Sequence, residues 1–251
     1  MKKIILSGCS GKMGKAITEC VAKLDDCEIV AGVDVFENSA LPYPVFMSFS
    51  ELNIKADVVI DFSHPSALSS VLKYAVDKSV PAVVATTGLS DEQVAQIENA
   101  AESVAIFRSA NMSLGVNLVC ELAKTAARVL GDSFDIEIVE MHHNQKLDAP
   151  SGTALMIADE IKTVLDDGVY YEYDRHSKRE KRTKAEIGIH ALRGGTVTGE
   201  HEVVFAGHDE IVKISHSARS KEIFAEGAVN AAKFICGKAP AIYNMKDLVK
   251  S

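Results

Sequence analysis

The chain has 251 residues, a formal net charge of -8, 47% hydrophobic residues and 25% charged residues. That balance supports one large or two small cores and excludes a disordered or fibrous chain, while the acidic excess argues against a surface that tracks nucleic-acid phosphates. Five scattered cysteines (Cys9, Cys20, Cys27, Cys120 and Cys236) form no CxxC pair and no Cys/His spacing of a zinc site, so they read as reduced packing residues of a cytoplasmic protein.

The chain opens on "MKKIILSGCSGKMG", two lysines and an apolar run that is too short for a membrane span and ends in glycines. It reads as a first strand and its turn, with no signal peptide and no membrane segment. A helix over 11–24 follows, with Met13, Ile17, Cys20, Val21 and Leu24 on one side, then a strand over 27–34. After an irregular stretch holding Pro42 and Pro44 come a strand (56–62), a helix (66–78), a strand (81–88), a helix (91–102) and a strand (104–110). Five strands with crossover helices between them predict an α/β fold built on a doubly wound parallel sheet. The rhythm changes near 115: a helix over 116–130, a strand ending in "EMHH", a turn, a helix over 153–165, and β-rich segments at 185–192, 196–207 and 210–218. These predict a second, α+β domain with a mixed, mostly antiparallel sheet covered on one face. A helix from 222 to 237 folds back on the first domain, so the expected division is 1–113 with 221–251, and 114–220. The basic stretch over 174–184 reads as a solvated loop, with steering of an acidic substrate as the sharper alternative.

Between the first strand and helix lies "GCSGKMG", with Gly8, Gly11 and Gly14 spaced as GxxGxxG and Ser10 where a dinucleotide fingerprint has its second glycine. The spacing alone is a weak signal. The preceding strand, the following helix and Asp34 at the end of the second strand supply the context of a dinucleotide site, with glycines allowing close backbone approach and helix amides facing a pyrophosphate. Asp34 suits a ribose 2′-hydroxyl and repels a 2′-phosphate, and Val35, Phe36 and Glu37 offer that phosphate no arginine. This favours NADH, while Lys12 and Lys15 nearby leave NADPH open. Two further strand-end loops, Ala85 to Gly88 and Ser109 to Ser113, lie on the expected cofactor edge.

Residues 140–154 read "EMHHNQKLDAPSGTA". His142 and His143 end a strand, Lys146 follows, and Ser151 is placed to cap a helix whose first residues include Gly152 and Thr153. A helix start carries partial positive charge and suits a carboxylate. Near neutrality lysine is a cation and an imidazole exchanges protons, so the stretch combines an anion cradle with a proton source. Hydride reduction of a C=C or C=N bond needs that combination. No third metal ligand stands at metal spacing. Arg193 reads either as added charge for the site or as a surface ion pair.

With "GCSGKMG", "ATTG", "SANMSLGVN" and "EMHHNQKLDAPSGTA" in hand, the whole chain resembles the dihydrodipicolinate reductases, also called 4-hydroxy-tetrahydrodipicolinate reductases. The resemblance implies a cytoplasmic homotetramer with a Rossmann-like dinucleotide domain and a substrate domain that also assembles the oligomer. It implies reduction of a cyclic dicarboxylic imine with NADH or NADPH in the diaminopimelate route to lysine. By motif, it implies His142 and Lys146 as catalytic proton-handling groups and His143, Gly152 and Thr153 as substrate contacts. Cofactor contacts are implied at Gly8, Cys9, Ser10, Gly11, Lys12, Met13, Asp34, Ala85, Thr86, Thr87, Ser109, Ala110, Asn111 and Met112. Ala85 stands where the family pattern has glycine, and Met112 where phenylalanine is common. The alternatives are another two-domain NAD(P)-dependent amino-acid or sugar dehydrogenase, which gives Lys146 and the Gly152 turn no special role, and a non-catalytic NADH sensor. A sensor of that kind would carry a DNA-binding motif, and no helix-turn-helix segment is apparent.

Overall fold

The computed structural model describes residues 1–36 and 38–250, so Glu37 lies outside the described residues. In chain order the elements are β1 (Lys2–Ser7), α1 (Lys12–Val21), β2 (Cys27–Val33), β3 (Val45–Phe46), β4 (Val58–Asp61), α2 (Leu68–Lys78), β5 (Ala82–Val84), α3 (Asp91–Ala101) and β6 (Ala105–Arg108). They continue as α4 (Leu114–Leu130), β7 (Asp135–His142), α5 (Gly152–Lys162), β8 (Tyr170–Glu172), β9 (Glu186–Arg193), β10 (Gly199–Ala206) and β11 (Ile211–Ala218). The chain closes with α6 (Glu222–Ile235), β12 (Ala241–Tyr243) and α7 (Met245–Val249). No described helix is long and apolar enough to cross a membrane. Two compact units result, one from the chain up to Leu114 with the segment from Lys221 onward, the other from Gly115 to Ser220.

The first unit is a seven-stranded sheet in the order β12-β6-β5-β4-β1-β2-β3, with every pairing parallel. Its central strands are apolar without a break because both faces are covered. Ile4, Leu6, Ile60, Val83 and Phe107 point to one side, where Ile17 of α1 and Ala228 and Ile235 of α6 pack. Ile5, Val59, Val84 and Ile106 point to the other, against Val71 and Leu72 of α2 and Ile97 of α3. This is the doubly wound sheet that the alternation of strands and helices predicts. The five expected strands are present, and β3 and β12 add the edges. At two and three residues those edge strands carry no periodicity from which to be read.

The second unit holds a five-stranded sheet in the order β11-β10-β7-β9-β8. It is mixed and mostly antiparallel as expected, with a parallel part: β10 runs antiparallel to β7 and β11, whereas β9 runs parallel to β7 and, over three residues, to β8. The reason is the connection. The path from β7 to β9 carries α5, and a helical crossover of that length returns a strand parallel to its start. In β7 burial alternates residue by residue, with Ile136, Ile138, Glu140 and His142 turned to the covered face. There Ile138, Val203 and Phe205 meet Ala123 and Ala127 of α4 and Ile157 and Ile161 of α5. The basic stretch over 174–184 is a loop with most of its residues exposed, as the solvated-loop reading expects, and most of its charges are paired. Arg182 pairs with Asp135 at 2.7 Å and Glu137 at 3.3 Å, Lys184 with Asp135 at 2.9 Å, Arg175 with Glu186 and Lys178 with Glu172. These pairs tie the loop to the acidic ends of the sheet, so most of its charge is locally neutralised.

Candidate active site

On the first unit, the turn after β1 is as tight as its glycines suggest. Gly8 has φ +78°, and a Cβ there would lie 2.6 Å from the Phe62 carbonyl oxygen. A Cβ on Gly14 would lie 2.3 Å from the Gly8 carbonyl oxygen, so α1 packs against the turn more closely than any side chain allows. Beside this turn opens a cavity of about 590 Å³ lined by Gly8, Ser10, Gly11, Asp34, Val35, Phe36 and His64, among others. The Asp34 carboxylate accepts hydrogen bonds from the Ser10 amide (2.9 Å) and the Val35 amide (2.8 Å), which holds it at the cavity wall. The Ser10 hydroxyl is buried there without a partner among the described residues. A backbone cradle, an acid and an orphan hydroxyl around one cavity fit the ribose and pyrophosphate of a dinucleotide.

A second cavity, about 300 Å³, gathers Met13, Ala85, Thr87, Ala110, Asn111 and Met112 with Phe62 and Phe224. Thr87, Ser109 and Ala110 also border a neighbouring hollow with Thr86. The Ser109 to Ser113 loop is held internally: Ser109 Oγ donates to the Asn111 carbonyl (2.7 Å) and Asn111 Oδ1 accepts from the Ser113 amide (2.9 Å). Four expected cofactor residues sit differently from their neighbours. Cys9 is fully buried and its thiol faces inward toward Gly32 and Tyr43, so its backbone alone serves the turn. Lys12 is exposed at the head of α1 and lines none of these cavities. Met112 is 2% exposed and belongs to the core. Thr86 turns its hydroxyl inward to the fully buried Asp61 (2.7 Å), which also accepts from Ser63 Oγ (2.6 Å).

On the second unit, sheet register builds the other site. His142 stands opposite Arg193 of β9, and Glu140 opposite His201 of β10. Glu140, at 0% exposure, receives His142 Nδ1 at 2.6 Å, two Arg193 nitrogens at 2.9 and 2.8 Å, and the Ser151 amide at 3.0 Å. Burial alone would push its pKa up, but Arg193, His142 and the Ser151 amide hold its carboxyl below the usual range. Arg193 is therefore neither a surface pair nor a free charge: it is bound to Glu140 and to the Asp148 carbonyl at 2.6 Å. Ser151 caps α5 by accepting from the Ala154 amide (3.2 Å), and its hydroxyl meets His201 Nε2 at 3.0 Å. The His201 ring lies edge-on to His142 at 5.2 Å, and burial with neighbouring His142 pushes its pKa down to about 4, so it is neutral at physiological pH.

The strand ends at His142, so His143 already belongs to the turn, where its Nδ1 accepts from the Gln145 amide at 3.2 Å. Lys146 Nζ pairs with Asp148 Oδ1 at 2.9 Å, and that pairing lowers the Asp148 carboxyl. Gly152 and Thr153 are the first two residues of α5. Sequence reasoning missed Glu140, His201 and Asp61. Glu140 was open to discovery, since it lies two residues before His142 on a strand and must share its face. His201 and Asp61 become visible only once strand pairing is known.

Known proteins share this organisation. Residues 2–112 match the family model for the N-terminus of dihydrodipicolinate reductase, and residues 115–249 the model for its C-terminus. The chain belongs to the dihydrodipicolinate reductase family. A family relative, the 4-hydroxy-tetrahydrodipicolinate reductase of Caldanaerobacter subterraneus subsp. tengcongensis, is 52% identical over 250 residues that cover 100% of this chain and 99% of the relative. Another, from Clostridium novyi, is 48% identical over 251 residues, again 100% of this chain and 99% of the relative. A solved dihydrodipicolinate reductase from Paenisporosarcina sp. TG-14, with dipicolinate bound, superposes with a TM-score of 0.82 at 27% identity, covering 98% of this chain and 99% of that one.

Proposed function

We propose that this chain reduces 4-hydroxy-tetrahydrodipicolinate to tetrahydrodipicolinate with a nicotinamide dinucleotide, in the diaminopimelate route to lysine. The carrying observation is the Glu140–His142 pair beside Lys146 and the start of α5, a proton-handling group next to an anion cradle. Dipicolinate, bound in the Paenisporosarcina relative, is a ring dicarboxylate, which supports a substrate of that class here. When bound, NADH or NADPH supplies the hydride that C4 of the substrate ring receives once the C4 hydroxyl has left as water together with a hydrogen of the neighbouring carbon. Asp34 and the Gly8 to Met13 turn hold the dinucleotide, with Phe36, 71% exposed, available to the adenine. The Ala85 to Thr87 and Ser109 to Met112 loops frame its nicotinamide end. Gly152, Thr153 and His143 hold a substrate carboxylate, while Lys146 and His142 deliver the proton to the carbon next to C4.

A coupled assay tests this reading: freshly generated cyclic substrate from the preceding synthase, with NADH and NADPH oxidation followed separately. Wild-type enzyme consumes cofactor, and His142→Ala or Lys146→Ala lowers turnover by roughly 10²-fold or more while leaving cofactor affinity nearly unchanged. Cofactor left unconsumed by wild type would sink the activity, and full turnover in both variants would move the chemistry elsewhere.

The same reading includes a cytoplasmic homotetramer. The five cysteines are all unpaired, which suits a reducing compartment. The uncovered face of the second unit's sheet presents Val139, Met141 and Leu192 around a hollow of about 410 Å³, and Leu192 and Ile211 are 45% and 62% exposed. Glu200, Glu202, Ser215 and Ser217 line the same hollow, and a face that mixes exposed apolar and polar side chains suits burial against another copy. Leu192→Lys is expected to shift the sedimenting species from tetramer to smaller forms; an unchanged tetramer would place the interface elsewhere.

A further inference from the structure

The Glu140 carboxylate has a fixed set of donors around it. Arg193 and the Ser151 amide can only donate, and an ionised carboxylate can only accept. His142 Nδ1, at 2.6 Å from the same group, must therefore carry a proton, so Nε2 is the nitrogen with the lone pair whenever the ring holds a single proton. Nε2 makes no hydrogen bond among the described residues. It faces Gly199, where an added Cβ would stand 3.1 Å away, so the absence of a side chain at that position keeps the nitrogen uncovered. Among the described residues, Arg193 of β9 stands opposite His142 and His201 of β10 lies edge-on to its ring, with Lys146 and His216 acting on that same His201.

We propose that Glu140, clamped by Arg193, is a positioning residue that sets the tautomer and orientation of His142 so that Nε2 is the atom that exchanges the proton. This deepens the reading of His142 as a proton-handling group and rests on it. Glu140→Gln is the informative variant because the surroundings dictate which way the amide turns. With its oxygen placed toward Ser151 and Arg193 NH2, the amide nitrogen meets a single Arg193 donor and presents N–H to His142 Nδ1. Turned the other way, the nitrogen would face two donors, the Ser151 amide and Arg193 NH2. The glutamine therefore converts Nδ1 into an acceptor and moves the ring proton to Nε2.

The experiment is nitrogen-edited imidazole NMR with steady-state kinetics on the full-length protein. Wild type is expected to show the Nδ1–H form of His142 and Glu140→Gln the Nε2–H form, with kcat lowered on the order of 10²-fold and the KM for NADH within about twofold of wild type. Unmoved signals from His190, His208 and His216 report that the fold is intact. Arg193→Lys, which keeps one charged donor, should retain the Nδ1–H form and a kcat above that of Glu140→Gln. An unchanged tautomer in Glu140→Gln overturns the role of Glu140, as does wild-type kcat with the proton moved. Wild-type kcat in His142→Ala would instead overturn the reading of His142 itself, so the two failures are told apart.

Discussion

At the scale of single residues, the glycines and Asp34 act through what they exclude. Gly8 and Gly14 hold positions where a Cβ would meet carbonyl oxygens at 2.6 and 2.3 Å, distances that no rotamer change relieves. Asp34 lines the larger cavity with its carboxylate already anchored by two amides, so its charge is fixed in place before any ligand arrives. Wild type is accordingly expected to use NADH at least as well as NADPH. Asp34→Ser should lower kcat/KM for NADH by roughly tenfold, about the worth of one hydrogen bond to a charged group, and raise it for NADPH. Parallel initial-rate measurements with both cofactors check this, and a strong wild-type preference for NADPH would contradict it. The GxxGxxG spacing and the acid were legible in the sequence because each restricts one local backbone or one local charge. The inward-turned Cys9 thiol and the buried Met112 were not, because a side chain's direction out of a turn depends on what packs behind it.

At the scale of elements, α5 and β7 carry the second site together. Ser151 is a hinge of that arrangement: its hydroxyl caps the helix and meets His201, and its amide holds Glu140. Ser151→Ala removes the cap and the His201 contact while sparing the amide. The loss should come to about 1 kcal/mol for the cap plus a similar amount for the buried hydrogen bond, seen as a lower urea midpoint with unchanged slope. An unaltered midpoint would show that water replaces both bonds. The sequence placed Ser151 as a cap from its position before an apolar helical run. It ended the strand with both His142 and His143, whereas the strand stops at His142 and the turn takes His143. The parallel return of β9 was equally hidden, since alternation of apolar residues marks a covered face but says nothing of strand direction.

For the molecule as a whole, the buried polar groups set its response to pH. His201 is neutral in the fold, held down to about 4 by burial, by His142, and by His216 and Lys146, against the opposing pull of Glu140. An unfolded chain protonates that ring near pH 6.5. Stability therefore falls as pH drops from about 6.5 toward 4, by roughly 3 kcal/mol in total, and this contribution levels off below that window. Glu140 and Asp135, whose carboxyls are depressed by their partners, act lower: their contribution is present above the ordinary carboxylate range and is lost as pH falls through their folded values. Thermal unfolding of wild type and His201→Gln across pH 7.5 to 4 separates the two, because only the upper window should flatten in the variant. Equal slopes in both proteins would assign the upper window to other groups.

The sequence by itself determined the α/β class, the doubly wound sheet, the cofactor turn and the stretch holding His142, Lys146 and the start of α5, because each is written in local spacing or in periodic burial. Only the tertiary structure decided that Arg193 grips Glu140, that His201 and Asp61 lie buried behind the sites, and that the basic loop neutralises the acidic ends of the sheet. Those pairs join residues as far apart as Glu140 and Arg193, or Ser151 and His201, on different strands and turns. Strand order and register bring them within hydrogen-bond reach, and neither is encoded in the spacing of residues along the chain.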